Sequence, residues 1–199
     1  MDEHSATPHR IVVIGVSCSG KTTLATRLAA QIGCPHIELD ALYWGPDWQA
    51  ASEETFRRAV TEATSGEEWV VDGSYIRFRD IVWARATAVV WLNYCFPRVF
   101  TRALRRTFRR VFRREVLFSG NRESFRGAFL SRESILWWVI STYRRHRRRY
   151  RQLLESEAYV RLQRYELHHP REANDFQLVP GGSTRRSGVA PGSPPRPCP

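Results

Sequence analysis

Gly15-Val16-Ser17-Cys18-Ser19-Gly20-Lys21-Thr22-Thr23 (GVSCSGKTT) decides the fold of this chain. Gly15 to Thr22 fits G-x-x-x-x-G-K-[ST], the phosphate-binding P-loop. The flanks supply the context that motif needs. Arg10–Ile14 is an apolar, β-branched run that reads as a buried strand. After the loop, Leu24, Leu28 and Ile32 recur at helical spacing, and Gly33 and Pro35 stop the helix. In such a turn Gly15 and Gly20 let backbone N–H groups face phosphate oxygens, with Ser17, Cys18, Ser19 and Thr23 completing the cradle. Lys21 is placed to reach the β- and γ-phosphates, and the Thr22 hydroxyl to ligate Mg²⁺. ATP and Mg²⁺ are therefore the expected ligands.

Lys21 is the only lysine among the chain's 31 Lys and Arg residues. A compact ammonium fits inside the loop, whereas a planar guanidinium fork does not. That is a physical reason for one lysine in a chain of arginines.

Outward from the loop, strands alternate with helices. Pro35–Asp40 reads as a second strand ending in an acid. Ser52 caps a helix whose apolar face is Phe56, Ala59, Val60 and Ala63. Trp69–Gly73 is a third strand closing on Asp72-Gly73, Thr87–Leu92 a fourth and Val160–Leu167 a fifth. Pro170 can open a short last helix. Between strands four and five lie two arginine-dense helices, 98–114 and 134–154, separated by a weakly periodic segment. Buried strands in alternation with helices predict a three-layer α/β/α P-loop NTPase fold with a five-stranded parallel sheet. The expected organisation is a loose leader over 1–9, one domain over 10–178 with a helical, arginine-rich lid at about 115–134, and a disordered Pro/Gly/Ser-rich tail over 179–199.

The 199 residues carry a net charge of +11. That charge admits nucleic acid or an anionic membrane surface as partners, but no nucleic-acid-reading module is evident. Cys18, Cys34, Cys95 and Cys198 form no CxxC pair and no zinc-site spacing. The first residues lack the apolar core of a signal peptide, and Ile135–Ile140 is too short to span a bilayer. A cytoplasmic protein with reduced thiols is expected.

The P-loop, His36–Trp44 (HIELDALYW), Trp69–Tyr75 (WVVDGSY), Val89–Tyr94 (VVWLNY) and the paired arginine-rich helices resemble the small kinases related to adenylate kinase. Within them, the segments resemble the bacterial adenylate kinase-like or topology modulation protein group. The resemblance covers about residues 10–178. It implies an ATP-dependent phosphotransferase acting on a small acceptor, either a nucleoside monophosphate or a hydroxyl metabolite. It implies that Asp72 helps hold Mg²⁺ through water, and that Arg102 and Arg106 match the Arg-x-x-x-Arg of the helix entering the lid. Arg147, on the helix leaving it, is a third candidate for charge stabilisation during transfer. The family's Phe-Pro-Arg after Asp-Gly is replaced by Ser74-Tyr75-Ile76-Arg77, which speaks against AMP as acceptor.

Asp40 has its own case, because ligands of open α/β sheets gather beyond the carboxyl ends of the strands. It is a candidate to orient or deprotonate the acceptor. Tyr43, Trp44 and Trp48 follow it, and either stack on an acceptor ring or pack as a small cap over the sheet. The group's other label keeps a second reading open: an ATP-binding regulator associated with nucleic acid.

Overall fold

The computed structural model describes residues 9–73, 75–113 and 134–178. The β-branched run at the start forms β1 (Arg10–Gly15), which lies at the centre of the sheet. β2 (His36–Glu38), β3 (Trp69–Asp72), β4 (Ala88–Leu92) and β5 (Gln163–Leu167) complete five parallel strands in the order β2-β3-β1-β4-β5. Side chains of β1 alternate between the two faces. Ile11 and Val13 join one buried cluster; Val12 and Ile14 join the other.

Each cluster is closed by helices, which makes three layers. On the first face Leu24 and Leu28 of α1 (Lys21–Ile32) and Val99 and Ala103 of α5 (Phe96–Arg113) pack on the sheet. On the second lie Leu39 of α2 (Leu39–Tyr43), Phe56 and Val60 of α3 (Glu53–Ala63), and Val82 and Trp83 of α4 (Arg79–Arg85). α6 (Ile135–Glu155) serves both: Val139 and Tyr143 enter the first cluster, Tyr150 and Leu154 the second. The last helix, α7 (Pro170–Asp175), leads to Phe176 and Leu178 of the first cluster. Arg27 of α1 ties this end down by donating to the carbonyls of Ala173, Asn174 and Phe176.

The helix boundaries have local causes. Ser52 Oγ accepts from Thr55 N at 3.1 Å and starts α3, and Ser134 Oγ accepts from Trp137 N at 3.2 Å and starts α6. Gly33, at φ 82°, ends α1 with its N–H on the Ala29 carbonyl at 2.8 Å.

Two expectations are corrected. β2 stops at Glu38, because the chain turns directly into α2; Asp40 therefore sits in the first turn of a helix and does not end the strand. β5 begins at Gln163, since Val160 and Leu162 donate to the Glu157 and Tyr159 carbonyls in a tight turn. α4 is an element the sequence reading did not assign; its apolar Ile81, Val82 and Trp83 are too few to show periodicity in the sequence. The expected lid, 115–134, lies outside the described residues apart from Ser134, as does the tail. Among the described residues no helix is long and apolar enough to cross a membrane.

Candidate active site

The loop after β1 folds back because three of its residues take positive φ: Gly15 at 155°, Cys18 at 64° and Gly20 at 98°. At Gly15 a Cβ would lie 2.7 Å from Ser19 Oγ and 3.0 Å from the Leu92 carbonyl, so glycine is required there. At Gly20 it would lie 2.6 Å from an Arg102 guanidinium nitrogen. Gly20 also N-caps α1 without any side-chain hydrogen bond, and the first turn of α1 holds no acid. The helix thus presents uncapped N–H groups and its positive end to the loop. Cys18 is buried with Val16 and Leu24 in the first core cluster.

Within the loop Lys21 Nζ donates to the Val16 carbonyl at 3.3 Å, which curls the ammonium over the cradle. Ser19 is buried, and its Oγ has no hydrogen-bond partner among the described residues. Ser17 is half-buried, whereas Thr22 and Thr23 are exposed on the first turn of α1.

The sheet register brings the acids to this loop. Glu38 and Asp72 are paired neighbours at the carboxyl ends of β2 and β3. Thr22 Oγ1 donates to Glu38 Oε1 at 3.2 Å, linking the P-loop hydroxyl to the acid pair. Asp72 is 2% exposed and its Oδ2 has no hydrogen-bond partner among the described residues; the nearest cationic group is His36 Nε2 at 3.8 Å. His36 Nδ1 lies 3.2 Å from Thr26 Oγ1 on α1, so the imidazole sits between α1 and Asp72. Burial pushes the Glu38 carboxyl up from its usual pKa, and the Asp72 charge adds to the rise. The Asp72 carboxylate raises the His36 imidazole against the opposing effect of burial. Two carboxylates held together, one with an unpaired buried oxygen, form a place where a cation is favoured.

That arrangement fits Mg²⁺. Among the described residues no group of three His, Cys, Asp or Glu side chains is set to hold a metal alone. Mg²⁺ is held in phosphoryl-transfer sites by one or two protein oxygens together with substrate phosphates and water. Thr22, Glu38 and Asp72 offer those oxygens beside the cradle.

Asp40 lies on α2, near enough for its charge to push Glu38 up as well. Its Oδ1 accepts from the Tyr75 hydroxyl at 2.8 Å, and its second oxygen has no hydrogen-bond partner among the described residues. Burial, followed by the Asp40 charge, raises the Tyr75 phenol far above its ordinary pKa, so it remains a donor. Tyr75 packs 5.0 Å from Tyr43, which meets Trp44 edge-on at 4.9 Å; Trp44 in turn meets Trp48 at 5.9 Å.

The arginines divide by helix face. Arg102 Nε donates to the Cys18 carbonyl at 3.3 Å, which places its guanidinium on the P-loop. Arg106 of α5 and Arg147 of α6 are half-buried, and the Nε of each has no hydrogen-bond partner among the described residues. Arg147 also reaches the Tyr143 hydroxyl at 3.5 Å. Arg144, Arg145, Arg148 and Arg149 are exposed along the opposite face of α6, where they line a shallow groove with Ser141 and Gln152.

Glu38, His36 and Tyr75 are the residues that the sequence reading passed over. For Glu38 a signal existed, since it lies two residues before Asp40 in a segment read as a strand, where alternate residues share a face. Tyr75 and His36 carried no such signal, because their partners come from other elements.

The fold resembles solved kinases. A gluconokinase from Sinorhizobium meliloti 1021 is 22% identical, with a TM-score of 0.49 over 84% of this chain and 90% of that one. A sugar kinase from Janibacter sp. HTCC2649 is 18% identical, with a TM-score of 0.45 over 82% and 88%. A shikimate kinase from Bacteroides thetaiotaomicron is 18% identical, with a TM-score of 0.44 over 81% and 86%. No curated protein matches the chain significantly. A family model described as an AAA domain matches residues 11–157. That span runs from β1 through α6 and takes in the P-loop, the acid pair and both arginine-bearing helices, so the chain belongs to the AAA domain family.

Proposed function

We propose that this protein is an ATP-dependent phosphotransferase that moves the γ-phosphoryl group of ATP to a hydroxyl on a small molecule. One observation carries the reading: the P-loop hydroxyl of Thr22 is bonded to one of two adjacent strand-end acids, Glu38 and Asp72, while a third acid, Asp40, stands on α2 with an oxygen to spare. A site built only to bind nucleotide has no use for that third acid. The kinase family resemblance and the AAA domain match support the same reading.

The residues take distinct roles. The loop amides and the N-terminus of α1 bind the phosphates, and Lys21 neutralises charge at the β- and γ-groups. Thr22, Glu38 and Asp72 would hold Mg²⁺, which neutralises charge building on the phosphate oxygens during transfer. Arg102, bonded to the P-loop carbonyl of Cys18, stabilises the same charge, and the half-buried Arg106 and Arg147, each with an unpartnered Nε, add to it. Asp40, held in orientation by Tyr75, accepts the hydrogen of the acceptor hydroxyl.

The test is ADP release from Mg-ATP with and without a mixture of small hydroxyl compounds, with the phosphoryl group followed to its destination. A phosphotransferase releases ADP at least about tenfold faster with acceptor, and the phosphate appears on the acceptor. Equal rates, with all phosphate free in solution, would make the protein an ATPase and remove the reading.

A further inference from the structure

The surroundings of Asp40 narrow the acceptor, given the phosphotransferase reading above. Tyr75, Tyr43, Trp44 and Trp48 form a continuous run of rings beginning at the hydroxyl bonded to Asp40. The outer end is held in a costly conformation. Asp47 and Trp48 have φ of 53° and 56°, two consecutive left-handed residues without glycine. The loop that holds them is closed by Gly45 N–H on the Gln49 carbonyl and by Ala51 N–H on the Tyr43 carbonyl, each at 2.8 Å. Trp48 nevertheless remains 39% exposed, so the distortion does not serve to bury the indole. It sets a flat apolar surface at the edge of the site.

The charges nearby point the same way. Of the arginines on this side of the sheet, Arg57, Arg77 and Arg79 are each engaged by protein groups. Arg57 is bonded to Asp80 at 2.7 Å and to Glu53 at 3.4 Å. Arg77 donates to Glu53, and Arg79 to the Ile76 carbonyl at 3.1 Å. Glu38 and Asp72 stand at the ends of β2 and β3, and Asp40 follows in the first turn of α2. A phosphate or carboxylate on the acceptor would face these acids, with Arg57, Arg77 and Arg79 already held by other groups.

We infer that the acceptor is an uncharged or cationic alcohol carrying a flat or apolar ring, as a nucleoside does and a nucleotide or sugar acid does not. The ring lies against the Trp44–Trp48 surface while its hydroxyl meets the second oxygen of Asp40. In transfer the hydroxyl oxygen bonds to the γ-phosphorus as the bond from that phosphorus to the β,γ-bridging oxygen breaks. The bridging oxygen keeps the electron pair and leaves with ADP, and the hydroxyl proton passes to Asp40.

The test uses the full chain with Mg-ATP and matched acceptors: adenosine against AMP, cytidine against CMP, and pyridoxine against gluconate and shikimate. Phosphorylated product is identified by mass spectrometry. At least one uncharged member should be converted with a kcat/KM about 100-fold above its anionic counterpart. Trp48→Ala should raise that acceptor's KM about tenfold, in line with the loss of one stacking surface, and leave kcat within about twofold. Preference for AMP, CMP, gluconate or shikimate overturns the inference but leaves the phosphotransferase reading in place. An unchanged KM in Trp48→Ala, or no phosphorylated product from any member, also overturns it. ATP consumption that ignores every acceptor, with phosphate released to water, removes the phosphotransferase reading itself and the inference with it.

Discussion

Glu38→Gln separates the two consequences of crowding acids at the P-loop. The substitution keeps an oxygen to accept from Thr22 and removes one negative charge beside Asp72. Paired residues on neighbouring strands lie about 5 Å apart, where two unit charges at an effective dielectric of about 20 to 80 repel by roughly 1–3 kcal/mol. Glu38 is only half-buried, so screening keeps the figure near the lower end, about 1 kcal/mol. The sign follows from the shift. Glu38 binds its proton more tightly in the folded protein than when unfolded. The metal-free fold therefore loses stability as pH rises from about 4.5 through the raised value, and Glu38→Gln abolishes that loss. Thermal melts without Mg²⁺ should show the variant about 2–4 °C above the parent at pH 7.5 and equal to it at pH 4. In the same variant, Mg²⁺-dependent turnover should fall about 100-fold, because an oxygen that would hold the ion has lost its charge. A variant that melts lower than the parent at pH 7.5, or that keeps its turnover and Mg²⁺ dependence, would refute the account of this acid pair.

Lys21→Arg should lose at least about 100-fold in kcat/KM for ATP despite conserved charge, because the fork cannot lie inside the loop; steady-state kinetics check this. Asp72→Asn should raise the Mg²⁺ concentration needed for half-maximal rate, whereas Asp40→Asn should lower acceptor-dependent turnover at unchanged Mg²⁺ demand; separate titrations of metal and acceptor distinguish them. Arg102→Ala should lower kcat about 10³-fold with the fold intact by circular dichroism, while Arg148→Ala on the outer face of α6 should stay within about twofold.

The sheet was legible because its strands are buried on both faces. Continuous runs such as Ile11–Ile14 and Val89–Leu92 announce themselves without help from neighbours. The P-loop was legible for a similar reason: all of its chemistry lies in one contiguous segment. Asp72 followed from its place at the end of such a run. What stayed hidden depends on register or on a change of element. The pairing of Glu38 with Asp72 exists only once β2 lies beside β3, and the Tyr75–Asp40 bond joins residues 35 apart in sequence. The short α4 and the early end of β2 escaped because one helical turn carries too few apolar positions to show a period.

The arginines show how burial supplies what composition withholds. In composition, α5 and α6 look alike, dense in one charge, and only the family resemblance singled out Arg102, Arg106 and Arg147 among their arginines. Folding ranks them by geometry. On α6 the apolar positions Val139, Tyr143 and Tyr150 face the core, and Arg147 shares that inward side, four residues after Tyr143. Arg144, Arg145, Arg148 and Arg149 face away and are exposed. An exposed arginine is satisfied by water and needs no partner. A half-buried guanidinium with an unpaired Nε costs free energy until an anion meets it. Arg106 and Arg147 carry that cost, and Arg102 spends its Nε on a P-loop carbonyl. On the phosphotransferase reading proposed above, the triphosphate is the anion that would relieve the first two and meet the third, so nucleotide binding should stabilise the fold most where these inward arginines are intact. Arg106→Ala combined with Arg147→Ala should therefore cut the rise in melting temperature produced by Mg-ATP by at least about half, and Arg144→Ala combined with Arg148→Ala should leave that rise unchanged. An equal loss in both pairs would mean that charge alone, and not its placement, draws the nucleotide in.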